Sequence, residues 1–193
     1  MIGHRRLALL ALATVAVACS SPMSNFYTLA PTVGADASAR STLAVGVGPV
    51  TVPATVDRPQ FVLQVAPNRV TLQEYHRWAA PLGQAIGQTV ATDLSALLGT
   101  PDVVPLPAPN FRYDLRVTID IQRFESVPGE SVQIDAVWAV SDPSDPTRIR
   151  SGRTVARETV SGSGFEALAA AHSRALGQLS RRIARAIREE SPA

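Results

Sequence analysis

The sequence predicts a single small α+β domain: a mixed, mostly antiparallel sheet of six or seven strands with two helices packed on one face. Three observations carry that expectation. Strict apolar and polar alternation runs from Tyr113 to Gln122 and returns from Val132 to Val140, the period of a half-buried strand pair. Helical spacing is found twice, once near the middle of the chain and once at its end. The one long apolar run lies at the amino terminus and is too short to cross a bilayer, which leaves 175 residues, enough for one domain with a substantial core.

In chain order, the first strand is Phe26 to Leu29, followed by an exposed Ala, Pro, Gly and Ser loop over residues 30–41. Thr42 to Val52 sets Leu43, Val45 and Val47 against Ala44, Gly46 and Gly48, a strand with one bulky and one minimal face. Phe61, Leu63 and Val65 alternate, Pro67-Asn68 turns the chain, and Val70 and Leu72 return, which describes a hairpin. Pro81 fits a first helical turn, where its missing N–H costs nothing. Leu82, Ile86, Val90, Leu94 and Leu97 then form a helical stripe that Gly99 and Pro101 end. Pro105, Pro107 and Pro109 make a stiff extended connector. The alternating pair follows, joined by Val127-Pro128-Gly129-Glu130, with one face buried and one wet. Arg148 to Val160 reads as a weaker strand near an edge. A long helix from Gly164 to Glu190 buries Leu168, Ala171, Ala175, Leu179, Ile183 and Ala186 or Ile187, and carries Arg174, Arg181, Arg185 and Arg188 outside. Both helices are needed to cover the apolar sheet face.

The leader has its own chemistry. Arg5 and Arg6, the apolar Leu7 to Val17, and Ala16-Val17-Ala18 precede Cys19, the only cysteine of the chain. That order reads as a bacterial lipoprotein signal over residues 1–18. Cys19 is then expected to carry a diacylglycerol thioether and an amide-linked, palmitate-type acyl chain. Ala16 stands where such signals usually carry Leu, and the same small residues also fit an ordinary secretory signal followed by a buried free thiol. One acyl chain anchors only marginally and three anchor firmly. Residues 19–25 form the tether, and Ser20 to Asn25 reaches roughly 20 Å at most, so the domain of residues 26–190 sits close to the bilayer. Ser20, rather than Asp, follows the cysteine, which points to the outer membrane.

The net charge of +2 comes from Arg5 and Arg6; the rest holds 16 arginines against 16 acids. No basic stripe with interleaved aromatics remains, which argues against nucleic acid as a partner. Neither His76 nor His172 has a Cys or carboxylate at ligand spacing, so no metal site is expected. His172 reads as a core or boundary residue of the last helix. Ser161-Gly162-Ser163-Gly164 lacks the spacing of a nucleophile elbow and reads as a loop before that helix. Gly46-Val47-Gly48 is no phosphate cradle, and the chain has no P-loop. No catalytic residue and no cofactor are expected beyond the lipid on Cys19.

Two clusters are more specific than packing alone requires. Pro53 to Pro59 is a rigid polar corner in which Asp57 and Arg58 are either a local cap and a solvated charge or a recognition surface. Tyr75 to Leu82 precedes the first helix, and Trp78 is either a core staple on the helix start or a partner-facing anchor.

Together with the lipoprotein start, Phe26-Tyr27-Thr28-Leu29, Val45-Gly46-Val47-Gly48-Pro49-Val50, Asp57-Arg58-Pro59, Arg77-Trp78, Pro81-Leu82 and the Ala-rich final helix resemble the ABC-type transport auxiliary lipoproteins, the paraquat-inducible protein C family. The resemblance covers essentially the whole chain after Cys19. It implies a small α/β domain anchored in the outer membrane and facing the periplasm. Its implied partners are a mammalian-cell-entry (MCE) protein and the permease of a lipid transport system energised by a separate ATPase. Members of the family look like ring-forming or partner-docking subunits rather than enzymes. On this reading Asp57, Arg58, Pro59, Arg77 and Trp78 are the candidate partner-binding residues. An assembly factor for an outer-membrane complex and a lipid-tethered periplasmic hydrolase are the competing readings.

Overall fold

The computed structural model describes residues 23–35 and 39–190, so the signal and Cys19 lie outside the described residues. Its elements are β1 (Asn25–Tyr27), β2 (Val45–Thr51), β3 (Gln60–Ala66), β4 (Arg69–Trp78), α1 (Leu82–Leu98), β5 (Val103–Pro105), β6 (Leu115–Val127), β7 (Ser131–Asp142), β8 (Asp145–Thr159) and α2 (Gly164–Glu190). The α+β class and both helices agree with the sequence. The strands number eight, one above the expected range, and they divide between two sheets, β1-β4-β3 and β5-β2-β6-β7-β8. The additional strand, β5, lies in and just before the proline-rich connector. It pairs parallel with β2, and Pro105 at its edge position sacrifices no central ladder bond.

The β6–β7–β8 meander is antiparallel throughout, while β2 runs parallel to both β5 and β6. Leu115, Val117, Ile119 and Ile121 are buried as the alternation requires. A bulge between Ile121 and Arg123 then shifts the phase, so Phe124 and Ser126 point inward. On β7, Val132, Ile134, Ala136, Trp138 and Val140 are all buried. Strand β8 is an edge, blunted by outward arginines. One of these, Arg153, holds Asp135 through two hydrogen bonds of 2.8 and 2.5 Å and keeps that carboxyl below the usual carboxylate range.

Both helices lie side by side on one face of the larger sheet, α1 over β2 and β5, α2 over β7 and β8. Leu82, Ile86, Val90, Leu94 and Leu98 face the core. Pro81 stands at the N-cap, one residue before the helical turn the sequence suggests for it. Gly99, at φ 67°, closes the helix with its N–H on the Ser95 carbonyl at 3.0 Å, a left-handed cap that suits glycine. The loop after β1 is exposed but not loose. The N–H groups of Thr32 and Val33 donate to Asp93 Oδ1 at 3.1 and 3.3 Å, and Ala30 N–H donates to Ser173 Oγ at 3.1 Å. Asp93, on α1, also accepts from Ser180 on α2 at 3.1 Å, so this strap crosses the seam between the helices. Burial raises the Asp93 pKa, against the lowering effect of those donors.

The small sheet joins the rest through aromatic packing. Phe61 stacks on Trp78 with ring centroids 4.3 Å apart and meets Tyr27 and Phe165 edge-on at 5.8 and 5.4 Å. His76 stacks on Phe165 at 3.8 Å, and its Nδ1 lies 2.7 Å from the Tyr27 hydroxyl. His172 is fully buried, parallel to Phe124 at 3.9 Å, with Nε2 2.8 Å from Ser126 Oγ. It is the core histidine the sequence suggests. Its Nδ1 has no partner among the described residues, so the less costly tautomer carries its proton on Nε2 and donates to the serine. Burial pushes its pKa down to about 3.

Candidate functional site

Between β2 and β3 the chain turns at Pro53, whose carbonyl accepts from the N–H groups of Val56 and Asp57 at 2.9 and 3.0 Å. Arg58 N–H donates to the Val56 carbonyl at 2.8 Å, and Trp78 N–H donates to the Pro59 carbonyl at 2.7 Å. The corner is thereby held to the end of β4. Asp57, Arg58 and Pro59 are exposed, and Val56 is their buried anchor. The Arg58 guanidinium reaches only the Ala54 carbonyl, at 3.4 Å, and pairs with no carboxylate among the described residues.

Asp57, Arg58 and Pro59 line a cavity of about 300 Å³ with Trp78, Pro81 and Leu82. A larger groove of about 710 Å³ shares Asp57 and Pro81 with it and continues between the end of β2, the first turns of α1 and the connector after β5. Pro49, Val50, Pro105 and Pro107 are among its walls. Pro49 and Pro107, both preceded by cis peptide bonds, line this groove. Gly48 has φ 143°, and a Cβ there would press on Leu106 at 3.2 Å. A Cβ at Gly46 would meet Leu106 and the Tyr113 ring at 3.0 Å, so the minimal face of β2 is where the connector lies against it. On α1, a Cβ at Gly83 would come within 3.0 Å of the Val50 carbonyl, so the glycine lets the helix start approach β2 closely.

Trp78 is 6% exposed and packs against Phe61, Phe124 and His172, so it serves as the core staple while one edge closes the smaller cavity. Arg77 follows a different course. It precedes Trp78 on β4 and so faces the other side of the strand, where its Nε–H donates to the Glu74 carbonyl at 2.8 Å. The fold thus gathers Asp57, Arg58, Pro59 and Trp78 and sets Arg77 apart. Sequence reasoning missed the longer groove, whose only signals were the paired Gly83 and Gly87 and the scattered prolines. Among the described residues no group of three or more His, Cys, Asp or Glu is placed to hold a metal, and no helix is long and apolar enough to cross a membrane.

The fold defines a class of small α+β domains already seen in crystals. A protein from Xanthomonas campestris has a TM-score of 0.70 and 19% identity, with 83% of this chain and 93% of that one covered. An uncharacterized protein has a TM-score of 0.69 and 19% identity, with 86% and 99% covered. At such identity the likeness speaks for the fold alone. No match is found among curated proteins. Residues 27–184 match the ABC-type transport auxiliary lipoprotein component, and the chain belongs to that family. It is therefore an auxiliary lipoprotein of ABC-type transport, of a kind associated with membranes.

Proposed function

We propose that this chain is a lipid-anchored periplasmic subunit that docks an MCE-domain protein at the outer membrane, within an MCE/ABC-type lipid transport system, and so contributes to membrane integrity. The observation that carries the reading is the pair of adjoining cavities, sharing Asp57 and Pro81, between the Asp57-Arg58-Pro59 corner and the start of α1. Its walls are stiffened by proline, so little ordering entropy is lost when a partner binds. Arg58 offers a planar guanidinium, unpaired among the described residues, for bidentate pairing with a carboxylate across an interface. The role is one of binding rather than turnover, and the same corner would serve self-assembly into a ring.

Capture of native complexes from membranes tests the reading. The wild-type lipoprotein should bring down an MCE-domain protein and its permease. Arg58→Glu should lose that capture, or the ring, while its stability stays within about 0.5 kcal/mol of wild type. Unchanged capture by Arg58→Glu, or a stability loss of core size, would refute this surface.

A further inference from the structure

The β1–β4 pair and the residues just before it expose side chains that the core does not use. Met23 is 88% exposed, Phe26 64% and Tyr75 47%. Phe26 is in register with Arg77 on β4, and the exposed Tyr75 stands two residues before Arg77, in the stretch where β4 departs from regular pairing with β3. The opposite side carries Tyr27, His76 and Trp78, which pack inward. The exposed set is therefore aromatic, with a thioether just before the edge strand β1 and, on the central strand β4, the Arg77 guanidinium 3.8 Å from the Glu74 carboxylate.

Its place along the chain says what covers it. Met23 follows Cys19 by four residues, about 14 Å of fully extended chain at most. Phe and Tyr rings settle at the boundary between headgroups and acyl chains, and an Arg stem reaches from there to phosphate. We infer that Met23, Phe26 and Tyr75 form a second membrane contact, inserting into the bilayer interface beside the acylated Cys19 and fixing the orientation of the domain on the lipid surface. The inference rests on the anchor reading of Cys19 and adds to it a defined face of the protein. Shallow burial of an apolar face, about 5–10 Å deep, is the geometry such interfacial contacts adopt.

Once Cys19 is acylated the mature chain has no free thiol, so an introduced cysteine can be labelled uniquely. The test uses the full mature lipoprotein in vesicles of phosphatidylethanolamine and phosphatidylglycerol, with an environment-sensitive fluorophore at Phe26→Cys, Tyr75→Cys or Pro143→Cys. Position 143 is the control. It lies in the β7–β8 turn, near the end of α2, where Arg150 pairs with Glu189 at 3.6 Å. Phe165, at the start of α2, packs on His76, and the 27 residues of the helix span roughly 40 Å. The contact requires blue-shifted emission at positions 26 and 75, quenched by lipid-borne spin labels, with no change at 143. Three equally water-like spectra from acylated, vesicle-bound protein would overturn the contact and leave the anchor intact. A native protein whose mass shows Cys19 unmodified and which does not float with vesicles would overturn both.

Discussion

Lowering the pH from 7 to 4.5 should cost this domain about 2–3 kcal/mol of stability through His172 alone. The side chain is fully buried between Phe124 and Trp78; among the described residues Ser126 is its one hydrogen-bond partner and Nδ1 has none. Among the described residues no carboxylate acts on it to stabilise an imidazolium. Its pKa is about 3 in the fold against 6.5 for the free side chain. The unfolded chain therefore binds the proton first. Stability is complete above pH 6.5 and declines by about 1.4 kcal/mol per pH unit below it, until the folded pKa is passed. The full penalty, reached below pH 3, is about 5 kcal/mol, a large share of the 5–15 kcal/mol typical of a domain. Urea unfolding followed by the fluorescence of Trp78 and Trp138, at half-unit steps of pH, measures the slope. His172→Gln removes the titrating group, so its stability should start lower but fall less steeply, and the difference between the two profiles should change by about 2–3 kcal/mol across the window. The remaining groups titrate equally in both proteins and cancel in that difference. Parallel profiles for wild type and His172→Gln would refute the argument.

Two further substitutions probe the core and the strap. Ile119 is 2% exposed and its neighbour Asp120 faces solvent, accepting from Thr51 Oγ at 2.6 Å. Ile119→Asp should therefore cost about 3–5 kcal/mol and Asp120→Ala less than about 1 in denaturant titrations, with equal losses contradicting the register. Asp93→Ala should cost about 2–3 kcal/mol and speed amide exchange at Thr32 and Val33, because it frees the strap that those N–H groups make across the α1–α2 seam. Unchanged exchange at both amides would show that the strap is held elsewhere.

Periodicity carried most of the fold. The spacing of Leu82 to Leu97 and of Leu168 to Ile187 defined both helices, because a helix of either length can bury its apolar stripe only on one side. The alternation of Leu115 to Ile121 with Val132 to Val140 defined the central hairpin for the same reason. The three-residue strand β5 escaped this reading, since Val103-Val104-Pro105 is too short to show a period and exists only because β2 offers it an edge. The bulge after Ile121 was equally hidden. It reverses which residues face inward, and so it alone brings Ser126 to His172. Trp78 was ambiguous in sequence, because a staple and an interface anchor use the same large amphipathic ring, and burial against Phe61 decided for the staple. The stiffness of the Pro53–Pro59 corner was legible from its prolines, which restrict the backbone locally. Its junction with the α1 start and the Pro105–Pro107 connector was not, because those segments lie far apart in the chain and meet only through the packing of β2 between β5 and β6.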